Sequence, residues 1–183
     1  MSDCGHPLRA TGNISLPRSS IQLLGSANMH DLPRKIARSK VRLMLDKLSK
    51  GWGFYASVLY QMPMIEKNSL PTMATDGKSI FYNADFTDAL SEPELDGVKV
   101  HEAYHRILKH HLRMGKRDAE LWNIACDYAI NPIIIQSGLV LPEGALIDDK
   151  FKGMSAEKIY DLLQKDQGDD GNGGGVPQPQ EWG

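Results

Sequence analysis

Apolar residues along the first third of the chain recur at helical spacing. Ile36, Val41, Met44, Leu45 and Leu48 do so between Arg34 and Lys50, with Asp31 and Pro33 placed as an N-cap and first-turn residue and Gly51 closing the run. A helix over 34–50 is expected. The texture then changes. Phe54–Tyr60 is aromatic and β-branched enough to read as a strand, and the runs 71–75 and 79–83 flank Asp76-Gly77-Lys78, a turn in which Gly77 can take a positive φ. These segments predict a small antiparallel sheet. A short helix is expected from Phe86 to Leu90. A long one should start at Ser91-Glu92-Pro93-Glu94 and run to about Met114, stopping at Gly115. Ala119 to Gln136 forms the next helical pattern, closed by Gly138, with Pro132 warning of a kink or break after Asn131. A last helix opens at Ser155 and reaches about Lys165. Residues 1–30 lack periodicity and read as an extended arm, and 167–183 as a flexible Gly/Pro-rich tail. The domain proper is therefore 31–166, of α+β class: a small antiparallel sheet packed on helices.

Composition narrows the choices only slightly. The 183 residues are 41% hydrophobic and 24% charged, as in an ordinary globular domain. A net charge of −2 gives no global reason to expect nucleic acid or an anionic membrane as partner. No apolar run approaches a membrane span, and the N-terminus has no signal-peptide pattern. With two cysteines, Cys4 and Cys126, a disulfide framework is excluded and the cytoplasm is the default compartment. The helix over 34–50 carries seven basic residues against Asp46, which reads either as a solvated face or as a docking patch for an acidic partner.

The chemistry lies in His101-Glu102-Ala103-Tyr104-His105. On a helix, residues four apart are separated by about 40° of rotation and one turn of rise, so two imidazoles can converge on one zinc ion. Glu102 lies about 100° around the helix from His101, where it can act as general base on a water without occupying the metal. The motif sits mid-helix behind Leu95, Val98 and Val100, which favours this reading over two surface histidines.

A third protein ligand is needed. His111 has the ten-residue spacing from His101 found in metzincins, but that geometry requires a sharp turn, usually at a glycine, and Leu108 stands there. If the helix is continuous, neither His110 nor His111 can join the first two. Asp127 is preferred: Asn123, Asp127 and Asn131 make a polar stripe through the otherwise apolar helix 119–136, and a buried carboxylate there requires a cation or a metal. The competing assignments pair Asp127 with Arg106 or Arg113, or place it behind a ligand histidine to orient it. Asn123 and Asn131 are then candidates for orienting ligands, while Tyr128 and Tyr104 could donate to an oxyanion or simply fill the core. Asp118 and Glu120 are further carboxylates able to serve if Asp127 does not. Cys126 reads as a packing residue.

Beyond the five-residue motif, Ala74-Thr75-Asp76-Gly77 with Tyr82-Asn83, His110 and Arg113, Leu121–Tyr128, Leu141-Pro142 with Gly144, and Gly153–Tyr160 accompany it. With these the chain resembles, over about residues 32–165, the metallopeptidase domain that in many bacterial proteins precedes a von Willebrand factor A-like domain. That resemblance implies a zincin-like fold, Zn2+ as cofactor, His101 and His105 as ligands, Glu102 as base and Asp127 as a further ligand. It also implies a polypeptide substrate and a MoxR-type AAA ATPase as partner. A catalytically weak or inactive metal-binding interaction module is the alternative.

Overall fold

A computed structural model describes residues 31–45 and 53–169, and the expected arm 1–30 and most of the expected tail, 170–183, lie outside them. The helices are α1 (Leu32–Leu45), α2 (Gly53–Tyr60), α3 (Ala84–Ala89), α4 (Glu92–Ile107), α5 (His110–Arg113), α6 (Ala119–Gln136) and α7 (Ala156–Asp169). The strands are β1 (Met64–Glu66), β2 (Met73–Thr75) and β3 (Ile80–Tyr82), and a 3₁₀ turn spans Asp149–Phe151. The class is mixed α+β.

Several expectations are corrected, two of them before α4. Phe54–Tyr60 is a helix, not a strand: Ala56 and Leu59 are buried three residues apart beside Leu43 of α1, so its apolar residues serve a helix–helix contact. The sheet is also mixed, not purely antiparallel. The hairpin pairs β2 with β3 as expected, Met73 opposite Tyr82 and Thr75 opposite Ile80, but β1 adds to the other side of β3 in parallel. The order β1-β3-β2 makes β3 central and leaves β2 at an edge, packed against α4.

The start of α4 is built as its sequence indicates. The Ser91 side chain accepts from the Glu94 N–H, and the Glu94 carboxylate accepts from the Ser91 N–H at 2.8 Å, a complete capping box with Pro93 in the first turn. The basic face of α1 is largely engaged here. Arg42 binds Asp96 (2.6 Å) and Glu92, Arg38 pairs with Glu92, and Lys35 Nζ donates to the carbonyls of Thr87, Asp88 and Leu90 at the C-terminus of α3. Beneath this layer Lys99 is fully buried. Its Nζ donates to Ser39 Oγ at 2.8 Å, and Ser39 in turn donates to Asp96 at 2.5 Å. Burial pushes Lys99 down to about 7, with the Asp96 charge opposing.

Helix α6 is apolar on more than one face and divides the core. Ile130 and Ile134 join Leu95, Val98, Ile80 and Met62 in one cluster, and Leu121, Ile124 and Trp122 join Phe151, Ile159 and Leu163 in the other. The helix runs through Pro132 uninterrupted. Gly97 admits a close approach: a Cβ there would lie 1.8 Å from the Val140 carbonyl oxygen, so the chain after α6 can lie directly on α4. The last helix begins where expected and continues to Asp169, past the expected end near Lys165.

The largest correction concerns α4. It does not run to Met114. It ends at Ile107 with Leu108 as cap, Lys109 adopts the left-handed region (φ 56°), and α5 starts afresh at His110. No glycine marks the break, and tertiary contacts hold it. Arg113 Nη1 donates to the Leu108 carbonyl at 2.8 Å, one of the groups a helix end leaves unpaired, and Trp122 Nε1 donates to the His110 carbonyl at 3.2 Å. Among the described residues, no helix is long and apolar enough to cross a membrane.

Candidate metal centre

Helices α4 and α6 run antiparallel, since their contacts step in opposite directions: His101 meets Asn131, His105 meets Asp127, and His110, just past α4, meets Trp122. The polar stripe of α6 thus faces the motif. His101 Nε2 and His105 Nε2 lie 2.9 Å apart, and Asp127 Oδ1 is 3.4 Å from the first and 3.3 Å from the second. All three residues are buried.

This triangle fits a metal. A tetrahedral ion with bonds of about 2.0–2.1 Å holds neighbouring donors about 3.3 Å apart, close to each of the three edges observed. Asp127 Oδ1 is also buried without a hydrogen-bond partner: it lies at ion-pair distance from both imidazoles but off the line of a hydrogen bond. A carboxylate oxygen left this way in the interior is costly unless a cation meets it.

Asn131 sets the tautomer of His101. Its Nδ2 donates to the Leu146 carbonyl at 3.1 Å, which can only accept, so Oδ1 faces the ring and accepts from His101 Nδ1 at 2.9 Å. With the proton on Nδ1, the Nε2 lone pair is the one turned toward His105 Nε2 and Asp127 Oδ1. In the metal-free arrangement, burial alone would lower His101. The Asp127 carboxylate, helped by Glu102 and Asn131, more than offsets this and lifts it to about 9. Asp127 is correspondingly held low against the effect of burial.

Glu102 is 3% exposed and accepts no hydrogen bond from any described residue. Burial raises its carboxyl above the usual range, the two imidazoles oppose, and Asp127 adds to the rise. A carboxylate raised in this way is a better proton acceptor near neutral pH.

The other expected residues are placed as follows. Asn123 is half-buried and shares no hydrogen bond with the three donors. Tyr128 packs on Phe151, ring centroids 4.7 Å apart, and the Tyr104 hydroxyl donates to Tyr55 at 2.6 Å, so both tyrosines serve the core. Arg113 makes a two-pronged ion pair with Glu157, not Asp127. Asp118 caps α6 by accepting from the Leu121 N–H. His111 lies over the β2–β3 turn, where a Cβ on Gly77 would come within 2.3 Å of its ring. Cys126 is buried, and burial raises its thiol.

Sequence reasoning, which took the helix as continuous, placed His110 away from His101 and His105. The break at Lys109 turns it inward, 3% exposed, with Nδ1 3.3 Å from His105 Nδ1. Burial, with the charges of His105 and Arg113, pushes it down to about 3. His105, His110 and Cys126 form a second group with donors close enough to share an ion. The HH pair at 110–111, read together with a spacing that permits a turn, was the available signal.

The family model described as "Putative metallopeptidase domain" matches residues 37–181. The chain belongs to this family. A metallopeptidase-type domain implies a metal ion, and the His101–His105–Asp127 group is one that could hold it. No curated protein and no solved structure matches the chain.

Proposed function

We propose that the chain is a zincin-type, zinc-dependent peptidase in which His101 Nε2, His105 Nε2 and Asp127 Oδ1 hold the ion and Glu102 is the general base. The observation that carries this reading is the donor triangle, whose edges of 2.9, 3.3 and 3.4 Å suit tetrahedral zinc, with a buried carboxylate oxygen that has no hydrogen-bond partner at one corner. Two neutral imidazoles and one carboxylate leave the site with net charge +1. When bound, the zinc would polarise a substrate carbonyl and acidify a water.

Each protein group then has a defined task. Asn131 holds His101 with Nε2 toward the ion. The Glu102 carboxylate, with no hydrogen bond to a described residue, accepts the proton of the attacking water and delivers it to the leaving amine. Edge strand β2 lies against α4 and offers its backbone for an extended polypeptide by strand addition, whereas β3 is paired on both sides and cannot.

Burial favours a second reading. His101, Glu102 and Asp127 are each under 5% exposed, which also suits a metal-stabilised interaction module working beside a MoxR-type AAA ATPase. Glu102→Gln separates the two. For a peptidase, the variant keeps its zinc and loses cleavage of a quenched-fluorescence peptide library that the wild type cleaves. Wild-type protein loaded with one zinc that cleaves no peptide, alone or with the ATPase, overturns the peptidase reading.

A further inference from the structure

We infer that His110 is a positioning residue for the metal centre: its Nδ1 accepts a hydrogen bond from His105 Nδ1–H and so fixes the ring and tautomer of His105. This rests on the reading of His101, His105 and Asp127 as zinc ligands and extends it to a residue that the motif does not contain.

A histidine that ligates through Nε2 keeps its proton on Nδ1, and that N–H needs an acceptor, ordinarily a carboxylate, a backbone carbonyl or water. For His101 the acceptor is Asn131 Oδ1. For His105 the group facing Nδ1 is His110 Nδ1, at 3.3 Å and inside the protein. Two ring nitrogens at this distance can form a hydrogen bond only if one carries the proton and the other does not. The metal-facing lone pair on His105 Nε2 assigns the proton to His105.

The backbone is arranged to make this contact. In a continuous helix His110 would lie about 140° around the axis from His105 and could not reach it. The left-handed Lys109 replaces that continuation, a backbone conformation that residues with a Cβ rarely adopt. The displaced segment is held in place by the Trp122 Nε1 bond to the His110 carbonyl and by the Trp122 ring, which lies edge-on to His110 with centroids 6.0 Å apart. Cys126 lies near the same two histidines, so a second ion shared by His105, His110 and Cys126 is the rival assignment. It would require His105 to bind metal through both nitrogens at once, whereas the single hydrogen bond leaves both rings neutral.

The test compares His110→Asn, which keeps an acceptor near the position of Nδ1, with His110→Leu, which removes it. Zinc affinity is measured by chelator competition, and the melting temperature of each metal-free protein is recorded alongside. Loss of an orienting partner costs about 10–100-fold in metal affinity. His110→Leu is expected to weaken zinc by that factor while still binding one zinc per chain, and His110→Asn to stay within a few-fold of wild type. Long-range nitrogen–proton NMR of the zinc-loaded wild type, which needs no variant, should show His105 protonated at Nδ1. Unchanged affinity in His110→Leu, equal losses in both variants, or a His105 without the Nδ1 proton overturns the inference while the zinc reading stands. Two zinc ions per wild-type chain, one of them lost in Cys126→Ser, overturns it in favour of the second ion. A wild type that binds no zinc overturns the underlying reading as well.

Discussion

Replacing Asp127 with Asn should destabilise the metal-free protein in a manner that depends on pH. His101 titrates near 9 in the folded chain against an ordinary value of 6.5, chiefly because Asp127 offsets the burial of its charge. A group raised on folding contributes stability that is complete below its unfolded pKa and is lost as pH climbs through the folded one. The window is therefore about 6.5 to 9, and the difference corresponds to about 3 kcal/mol as an upper bound. In a domain of this size that is roughly 6–12 °C of melting temperature. Protein stripped of metal with a chelator is melted at pH 6 and pH 9.5, wild type beside Asp127→Asn. The variant should melt well below wild type at pH 6. At pH 9.5 the gap should close or reverse, because the wild type then buries a carboxylate beside a His101 that is losing its charge. A gap that is absent at pH 6, or that persists unchanged at pH 9.5, would refute the ion pair.

Other outcomes follow from the packing. Lys99 is lowered on folding to about 7, so between that pH and about 10.5 the unfolded chain binds the extra proton and stability rises with pH; Lys99→Met should flatten this rise in denaturation curves. Gly97→Ala would drive a Cβ against the Val140 carbonyl and should cost about 1–3 kcal/mol in urea unfolding, whereas a neutral result would show that the chain after α6 gives way easily.

The grouping of His101, His105 and Asp127 was more legible in the sequence than the fold around it. Local rules carried the start of α4, where Ser91, Pro93 and Glu94 assemble a capping box, and the polar stripe on α6 located Asp127 and Asn131 because an apolar helix tolerates polar residues only where something pairs with them. What local rules missed was decided at long range. Phe54–Tyr60 has strand-like composition but packs as a helix against α1, a tertiary override of propensity. β1 pairs in parallel with β3, and no turn motif could announce it. The break after α4 occurs at a lysine and is held by Arg113 and Trp122, so a rule that looks for glycine passes over it and leaves His110 on the wrong side of the helix. Asn123 shows the converse limit: it shares the four-residue period of Asp127 and Asn131, yet makes no hydrogen bond to the donors.

Zinc content tests the metal centre most directly. Wild-type protein and the His101→Ala/His105→Ala variant, purified without added metal, are assayed by inductively coupled plasma mass spectrometry, with circular dichroism to confirm that both are folded. One zinc per wild-type chain and none in the folded double variant is the expected result. A wild type without zinc that also fails to take it up on titration, or a double variant that retains it, would contradict the assignment of His101, His105 and Asp127 as a zinc site.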